Sequence, residues 1–394
     1  MTGATPPGRV VVVGDVFLDI EIEGRADRRS PDAAVPVVDV VGRAHRPGGA
    51  GLAALLTVPE SAATVLIGGF ADDEPGRRLR ALLDGITPYG SAPTIPSRSG
   101  TTIDIVALPL TGETVCTERV RAIGPWAGPG GREMLTPITR LDSGAGRVTD
   151  GPLPDAVRTA LEAADAILVS DHGRGTADHP QLRALLTSHA ARTPLVWDPH
   201  PRGPDPVPGA ALVVLNRAEA ERLVPTESGF GDRARELAER WSADAVAITL
   251  GAEGAVLHRP GPNEPRHISV PIELRVGFGG DTCGAGERFS GAVATALAMG
   301  IDTEWAVLRA VSTAAEFVAG GAAASVAVPQ TASDEHFAVH SYGMTTTPAR
   351  SHPVVEPPPL APTDPAPTAA ATASTEPNRR TGAGLPDPAG TRIG

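Results

Sequence analysis

The sequence predicts an α/β fold, a doubly wound and mostly parallel sheet with helices on both faces. Three observations predict it. Short runs of Val, Ile and Leu alternate along the chain with longer Ala-, Leu- and Arg-rich segments of helical period. The runs are continuously apolar, as strands covered on both faces must be. Each closes on a polar residue or glycine, and those closing residues belong at the carboxyl ends of parallel strands, where such folds bind ligands.

In chain order the expected strands are 9–16 (RVVVVGDV), 63–70 (ATVLIGGF), 165–173 (DAILVSDHG), 193–199 (TPLVWDP), 209–216 (GAALVVLN) and 244–251 (DAVAITLG). The helices between and after them are 154–164, 179–191, 218–223, 232–242 and 287–299. Two stretches differ. Residues 18–46 and 98–121 contain alternating patterns such as TTIDIVAL and ETVCTERV, which predict strands with one wet face and hence a small β-layer off the main sheet. A lid over the active site is one use for it and a homodimer surface is another. Residues 124–146 have no clear period and are expected to be a long loop.

Composition narrows the function. The 394 residues carry a net charge of −12, and every basic side chain is arginine. Without lysine there is no Walker-type phosphate loop and no Schiff-base chemistry. The acidic balance argues against a nucleic-acid or anionic-membrane binder. No apolar run approaches the length of a membrane span, and residues 1–9 lack the apolar core of a signal peptide, so a cytoplasmic small-molecule protein is expected. Two cysteines, Cys116 and Cys283, are too few for a disulfide framework. Residues 345–394 hold 11 prolines and no Phe, Trp or Tyr, a composition that predicts a disordered tail after a domain of residues 1–344.

The strongest motif is GGDTCGAGERF at 279–289. A glycine turn, Gly284-Ala285-Gly286, runs into a helix, so free amides and the positive helix end converge where a phosphoryl group can be held. Glu287 in the first turn is placed to accept a proton from an attacking hydroxyl; a well-placed acid on a helix dipole is the plainer alternative. In ITLGAEG, Thr249, Gly251 and Gly254 suit a nucleotide or a simple hairpin. In LNRAEAERL, Asn216 and Glu219 stand three apart at a strand end, suited to magnesium and phosphate or to a helix cap. Asp15 ends the first strand and Gly48 and Gly49 precede a helix, where they could hold a sugar or form a turn. Asp171 and Arg174 end another strand in VSDHGRG, with Arg174 a phosphate contact.

Taken in this order, Gly-Asp, the di-glycine, Asn-x-x-Glu, Thr-x-Gly-x-x-Gly and Asp-Thr-x-Gly-Ala-Gly resemble the motifs of the ribokinase-like, phosphofructokinase B-type carbohydrate kinases. The resemblance spans residues 10–329. GDVFLDIEIEG, RPGGAGLAALL and VSDHGRG are most similar to the bacterial D-glycero-D-manno-heptose 7-phosphate kinases. It implies a ribokinase-like three-layer fold with a small β lid, ATP and Mg2+ as cofactors, and a sugar or sugar phosphate as substrate. Asp15, Gly48, Gly49 and Asp171 would lie at the sugar; Asn216, Thr249, Gly251, Gly254 and Arg174 at ATP; and Asn216 and Glu219 at the metal. Asp281 would lie near a monovalent cation such as K+. Gly284, Ala285 and Gly286 would form the anion hole and Glu287 the base.

The chain departs from that family at three positions. The base is normally aspartate, and the extra methylene of Glu287 moves its carboxylate by about 1 Å. Leu52 replaces a sugar-binding asparagine, and Arg174 replaces a lysine. A sugar kinase acting by in-line transfer is therefore expected, with a catalytically silent sugar- or nucleotide-binding homologue and a nucleoside kinase as alternatives.

Overall fold

The computed structural model describes residues 7–84, 103–127, 135–261, 264–275 and 281–326. The chain divides into units Met1–Ala338 and Val339–Gly394, and everything described belongs to the first. The expected tail lies outside the described residues.

In order, the elements are β1 (Arg9–Gly14), β2 (Val16–Arg29), β3 (Pro36–Gly49), α1 (Ala50–Thr57), β4 (Ala63–Phe70), α2 (Glu74–Asp84), β5 (Ile103–Thr111), β6 (Cys116–Ile123), β7 (Thr136–Ser143) and β8 (Arg147–Val148). Then come α3 (Asp155–Glu162), β9 (Ala166–Ser170), α4 (Pro180–Ala190), β10 (Leu195–Asp198), β11 (Leu212–Asn216), α5 (Arg217–Leu223), α6 (Phe230–Trp241), β12 (Val246–Thr249), β13 (Ala255–His258), β14 (Arg266–Ile268), α7 (Ala285–Ala298) and α8 (Thr303–Ala319). Every strand and helix expected from the main-sheet pattern is present.

The main sheet runs β14-β13-β12-β11-β10-β9-β1-β4-β5-β8. From β12 to β5 every pairing is parallel, and only the edge strands β13, β14 and β8 are antiparallel. β1 shows why the runs are continuously apolar. Val10 and Val12 enter one core with α1, α7 and α8, and Val11 and Val13 enter the other with α3, α4 and α6. All four are fully buried, worth roughly 1.5–3 kcal/mol each. The carboxyl ends of β1, β9, β10, β11 and β12 therefore lie along one rim.

The second sheet has the order β3-β2-β6-β7. Three expectations change here. Residues 103–111, expected in the small layer, form β5 and pair in parallel with β4 of the main sheet; alternation suits that position because β5 lies next to the short edge strand β8. Residues 136–143, expected as loop, form β7, whose exposed residues give too little apolar signal to mark a strand. The polar face of β2 is not wet: Asp19 and Glu21 are 8 % and 7 % exposed, each paired with arginine. Leu18 on the other face joins the core formed around α1 and α2, and Ile20 packs against it.

Candidate active site

Asp15 follows β1 and is buried. Its carboxylate accepts three backbone N–H bonds from the loop after β9, from His172 (2.9 Å), Arg174 (2.8 Å) and Thr176 (3.1 Å). The aspartate expected at the sugar is thus also a clamp that shapes the 172–176 loop. Positive φ at Gly173 and Gly175 lets that loop present three amides inward. Gly48 and Gly49 end β3 beside it. A side chain at Gly49 (φ 56°) would strike Phe17 and come within 2.9 Å of His172, and one at Gly48 would come within 2.9 Å of Asp19 Oδ2. His172 packs edge-on against Phe17, ring centres 5.1 Å apart. Burial holds its imidazole down to about 4, so it is neutral at physiological pH.

Asp171 is buried, accepts the Gly173 N–H at 2.8 Å, and is pushed up to about 7 by burial. Any side chain at Gly203 would collide with its Oδ2, so the loop after β10 closes directly over this carboxyl.

One strand further along, Asp198 ends β10. Ser290 of α7 donates to its Oδ2 at 3.2 Å, and burial, then the nearby Glu219 and Glu287, raise it well above the usual carboxylate range. The sequence reading gave Asp198 no role, although the polar end of WDP was its signal. At the end of β11, Asn216 and Glu219 form a reciprocal capping box: the Glu219 N–H donates to Asn216 Oδ1 (3.0 Å) and the Asn216 N–H to Glu219 Oε2 (2.8 Å). Burial raises Glu219, with the Asn216 bonds opposing. Thr249 pairs with Asn216 in register and donates to the Leu215 carbonyl at 3.3 Å. Gly251 and Gly254 then turn β12 into β13, so the segment is a hairpin, with open space above Gly251.

The rim faces the start of α7. Gly284, at φ 83°, caps this helix without any side-chain cap. Ala285 donates its N–H to the Thr282 carbonyl (3.1 Å), while above Gly286 there is open space. Glu287 stands half-buried in the first turn of this helix. Burial raises it most; Asp19 and Glu219 raise it further and Arg119 opposes them. Glu287 therefore lies between the rim and the second sheet. There Arg119 pairs with Asp19 at 3.0 Å. Cys283 is pushed up to about 12 by burial and is an inert thiol.

Magnesium typically takes one or two carboxylates together with phosphate and water oxygens. Asp198 and Glu219 offer that donor set, because Asp198 ends β10 and Glu219 follows the neighbouring β11, close enough that Glu219 raises Asp198. No cluster of three or more metal-ligating side chains occurs among the described residues, so phosphate oxygens would supply the rest. Asp281 fits a monovalent cation poorly, since Oδ1 accepts the Cys283 N–H (3.0 Å) and Oδ2 accepts from Arg121 (3.0 Å). The described helices include none long and apolar enough to cross a membrane.

The model of the pfkB family carbohydrate kinases matches residues 180–330. The chain is 41% identical over 332 residues to the bifunctional protein HldE of Streptomyces coelicolor, covering 82% of this chain and 62% of that protein. It thus spans under two thirds of the length of this curated relative. Arabidopsis thaliana ribokinase, solved with ribose and ATP, superposes with a TM-score of 0.55 at 18% identity over 82% of this chain and 96% of its own. Phosphofructokinase-2 of Escherichia coli, solved with fructose-6-phosphate, gives 0.54 at 16% identity over 81% and 93%. At such identities the superpositions speak for the ribokinase-like fold alone. The matched segment and the HldE relative make the chain similar to the pfkB family carbohydrate kinases, and the motifs of that pattern lie at the ends of β1, β3, β11 and β12 and at the start of α7.

Proposed function

We propose that the protein is an ATP- and magnesium-dependent sugar kinase, its first-choice acceptor the anomeric hydroxyl of heptose 7-phosphate. The observation that carries this reading is Glu287 in the first turn of a helix without a side-chain cap, between the carboxylates of the rim and the Asp19–Arg119 pair. The heptose choice is supported by the resemblance of the segments around Asp15, Gly48 and Asp171.

Glu287 takes the proton of the attacking hydroxyl, and its raised pKa makes the ionised carboxylate a stronger base. The α7 dipole with the Gly284 and Gly286 amides stabilises the transferring group. Gly48 and Gly49 let the acceptor approach the backbone, while Asp15 and Asp171 hold the loops around it. Asn216 and Glu219 with Asp198 would hold magnesium, which would supply neutralisation of phosphate charge. Thr249, Gly251 and Gly254 line the nucleotide and Arg174 contacts phosphate. The second sheet acts as a lid that excludes water. Its exposed Val35, Val40, Val41 and Leu141 are the surface through which two copies would pair, checked by sedimentation.

ADP release, measured with heptose 7-phosphate, ribose, fructose-6-phosphate and nucleosides, tests the proposal. Turnover on heptose 7-phosphate that collapses in Glu287→Gln is expected; no turnover of any acceptor by folded wild type overturns it. A second reading, a silent binding homologue, is favoured by Leu52, which is buried in the core and offers no polar group to a sugar. Calorimetric ligand binding without ADP release would select it.

A further inference from the structure

Glu21 is the most deeply enclosed carboxylate of the lid's polar face and belongs to two arginines. Arg121 of β6 donates from Nη1 to Glu21 Oε1 at 2.9 Å, and Arg46 of β3 lies 3.8 Å from Oε2. Neither arginine stops there. The same Nη1 of Arg121 donates to Asp281 Oδ2 at 3.0 Å, and Arg46 Nη1 donates to the Ala323 carbonyl at 3.2 Å. Both outer partners converge on one turn. Asp281 accepts the Cys283 N–H, and the Ala323 N–H donates to the Cys283 carbonyl at 3.0 Å. Gly284, the cap of α7, is the next residue.

In this network Glu21 and Asp281 oppose Arg121 and Arg46, with Glu23 close to both arginines. Half-buried or buried, each loses more by being left unpaired than the pair gains by existing, so the links hold as a set. An ion pair internal to the lid would need only Glu21 and one arginine. The second arginine and the two outward bonds serve something beyond lid stability.

We propose that Arg121 and Arg46, joined on Glu21, are positioning residues that transmit the lid's posture to the 281–284 turn and so set the amides at the start of α7. The inference rests on the kinase reading for its catalytic consequence only. When the lid moves, β2, β3 and β6 move together, and the turn is drawn with them through Asp281 and Ala323. The amide cluster would then take its working geometry only with the lid in place, which ties phosphoryl transfer to an enclosed acceptor.

Hydrogen exchange on the full-length, unliganded protein tests the linkage without any activity. The variants are Glu21→Gln, Arg121→Gln, their double and Arg121→Lys. Peptides spanning 281–290 should exchange at least tenfold faster in each Gln variant, with the double no faster than either single. Lysine at 121, which keeps the charge without the fork, should restore part of the protection. Unchanged exchange in Arg121→Gln, or additive effects in the double, overturns the proposal. So does a rise shared equally by β1 and β9, because the network would then be a general stabiliser. In steady-state assays kcat should fall tenfold or more with the acceptor KM changing less than threefold; the reverse pattern also overturns it. If wild type turns over nothing, the kinase reading fails while the exchange result still decides the linkage.

Discussion

Leu52 packs against Gly284: a Cβ added at residue 284 would lie 2.9 Å from Leu52 Cδ2. The leucine at the position of a family asparagine is thus a core residue, 2 % exposed, beneath the turn that opens α7. Gly284→Ala combines this contact with a left-handed φ of 83°, which costs an L-residue roughly 1–2 kcal/mol. Lower urea stability and about 10²-fold slower turnover are expected, since a misplaced amide cluster loses its alignment. Leu52→Asn should lower stability by about 1–3 kcal/mol through a buried amide, measured by the same unfolding curve.

The proposed base can be tested by charge and by pH. Glu287→Gln should reduce kcat by about 10²–10⁴-fold, the usual contribution of a general base. In wild type kcat/KM should rise with pH through an apparent pKa above 4.5, because burial raises this carboxyl and only its ionised form accepts the proton. A profile flat across that range would exclude Glu287 as the base.

Asp15→Ala should destabilise the native state by on the order of 3 kcal/mol, because three loop N–H groups lose a charged acceptor. Chemical unfolding measures the loss. Exchange in residues 172–176 should accelerate more than in β10.

Asp171 links stability to pH. Its folded pKa, about 7, exceeds the ordinary 3.8, so the native state holds the proton to higher pH than the unfolded chain. Its contribution is therefore fully present below 3.8 and lost as pH rises toward about 7. In Asp171→Asn that decline should shrink by ~2–4 kcal/mol across the window, read from urea midpoints at a series of pH values. An equal decline in both proteins would contradict the assignment.

The main sheet was legible because β1, β4, β9, β10, β11 and β12 are buried on both faces and leave uninterrupted apolar runs. The motifs at their ends were legible for the same reason, since parallel strands place their carboxyl ends on one rim. The second sheet was only half legible. β5 and β6 carry similar alternation yet belong to different sheets, and β7 carries almost no apolar signal.

Local pattern therefore determined the fold class, the rim and the identity of its closing residues, because burial and turn chemistry act on neighbouring residues. Partners far apart in the chain were settled only by tertiary packing. Nothing near Asp15 in sequence announces that its acceptors are filled by residues 172–176, and nothing near Arg121 announces Glu21 and Asp281. Asp198 likewise gains its place from the approach of Ser290 and Glu287 on α7. Charge and hydrogen-bond pairing depend on distance in space, and across such separations that distance exists only once the sheet, the lid and α7 have come together.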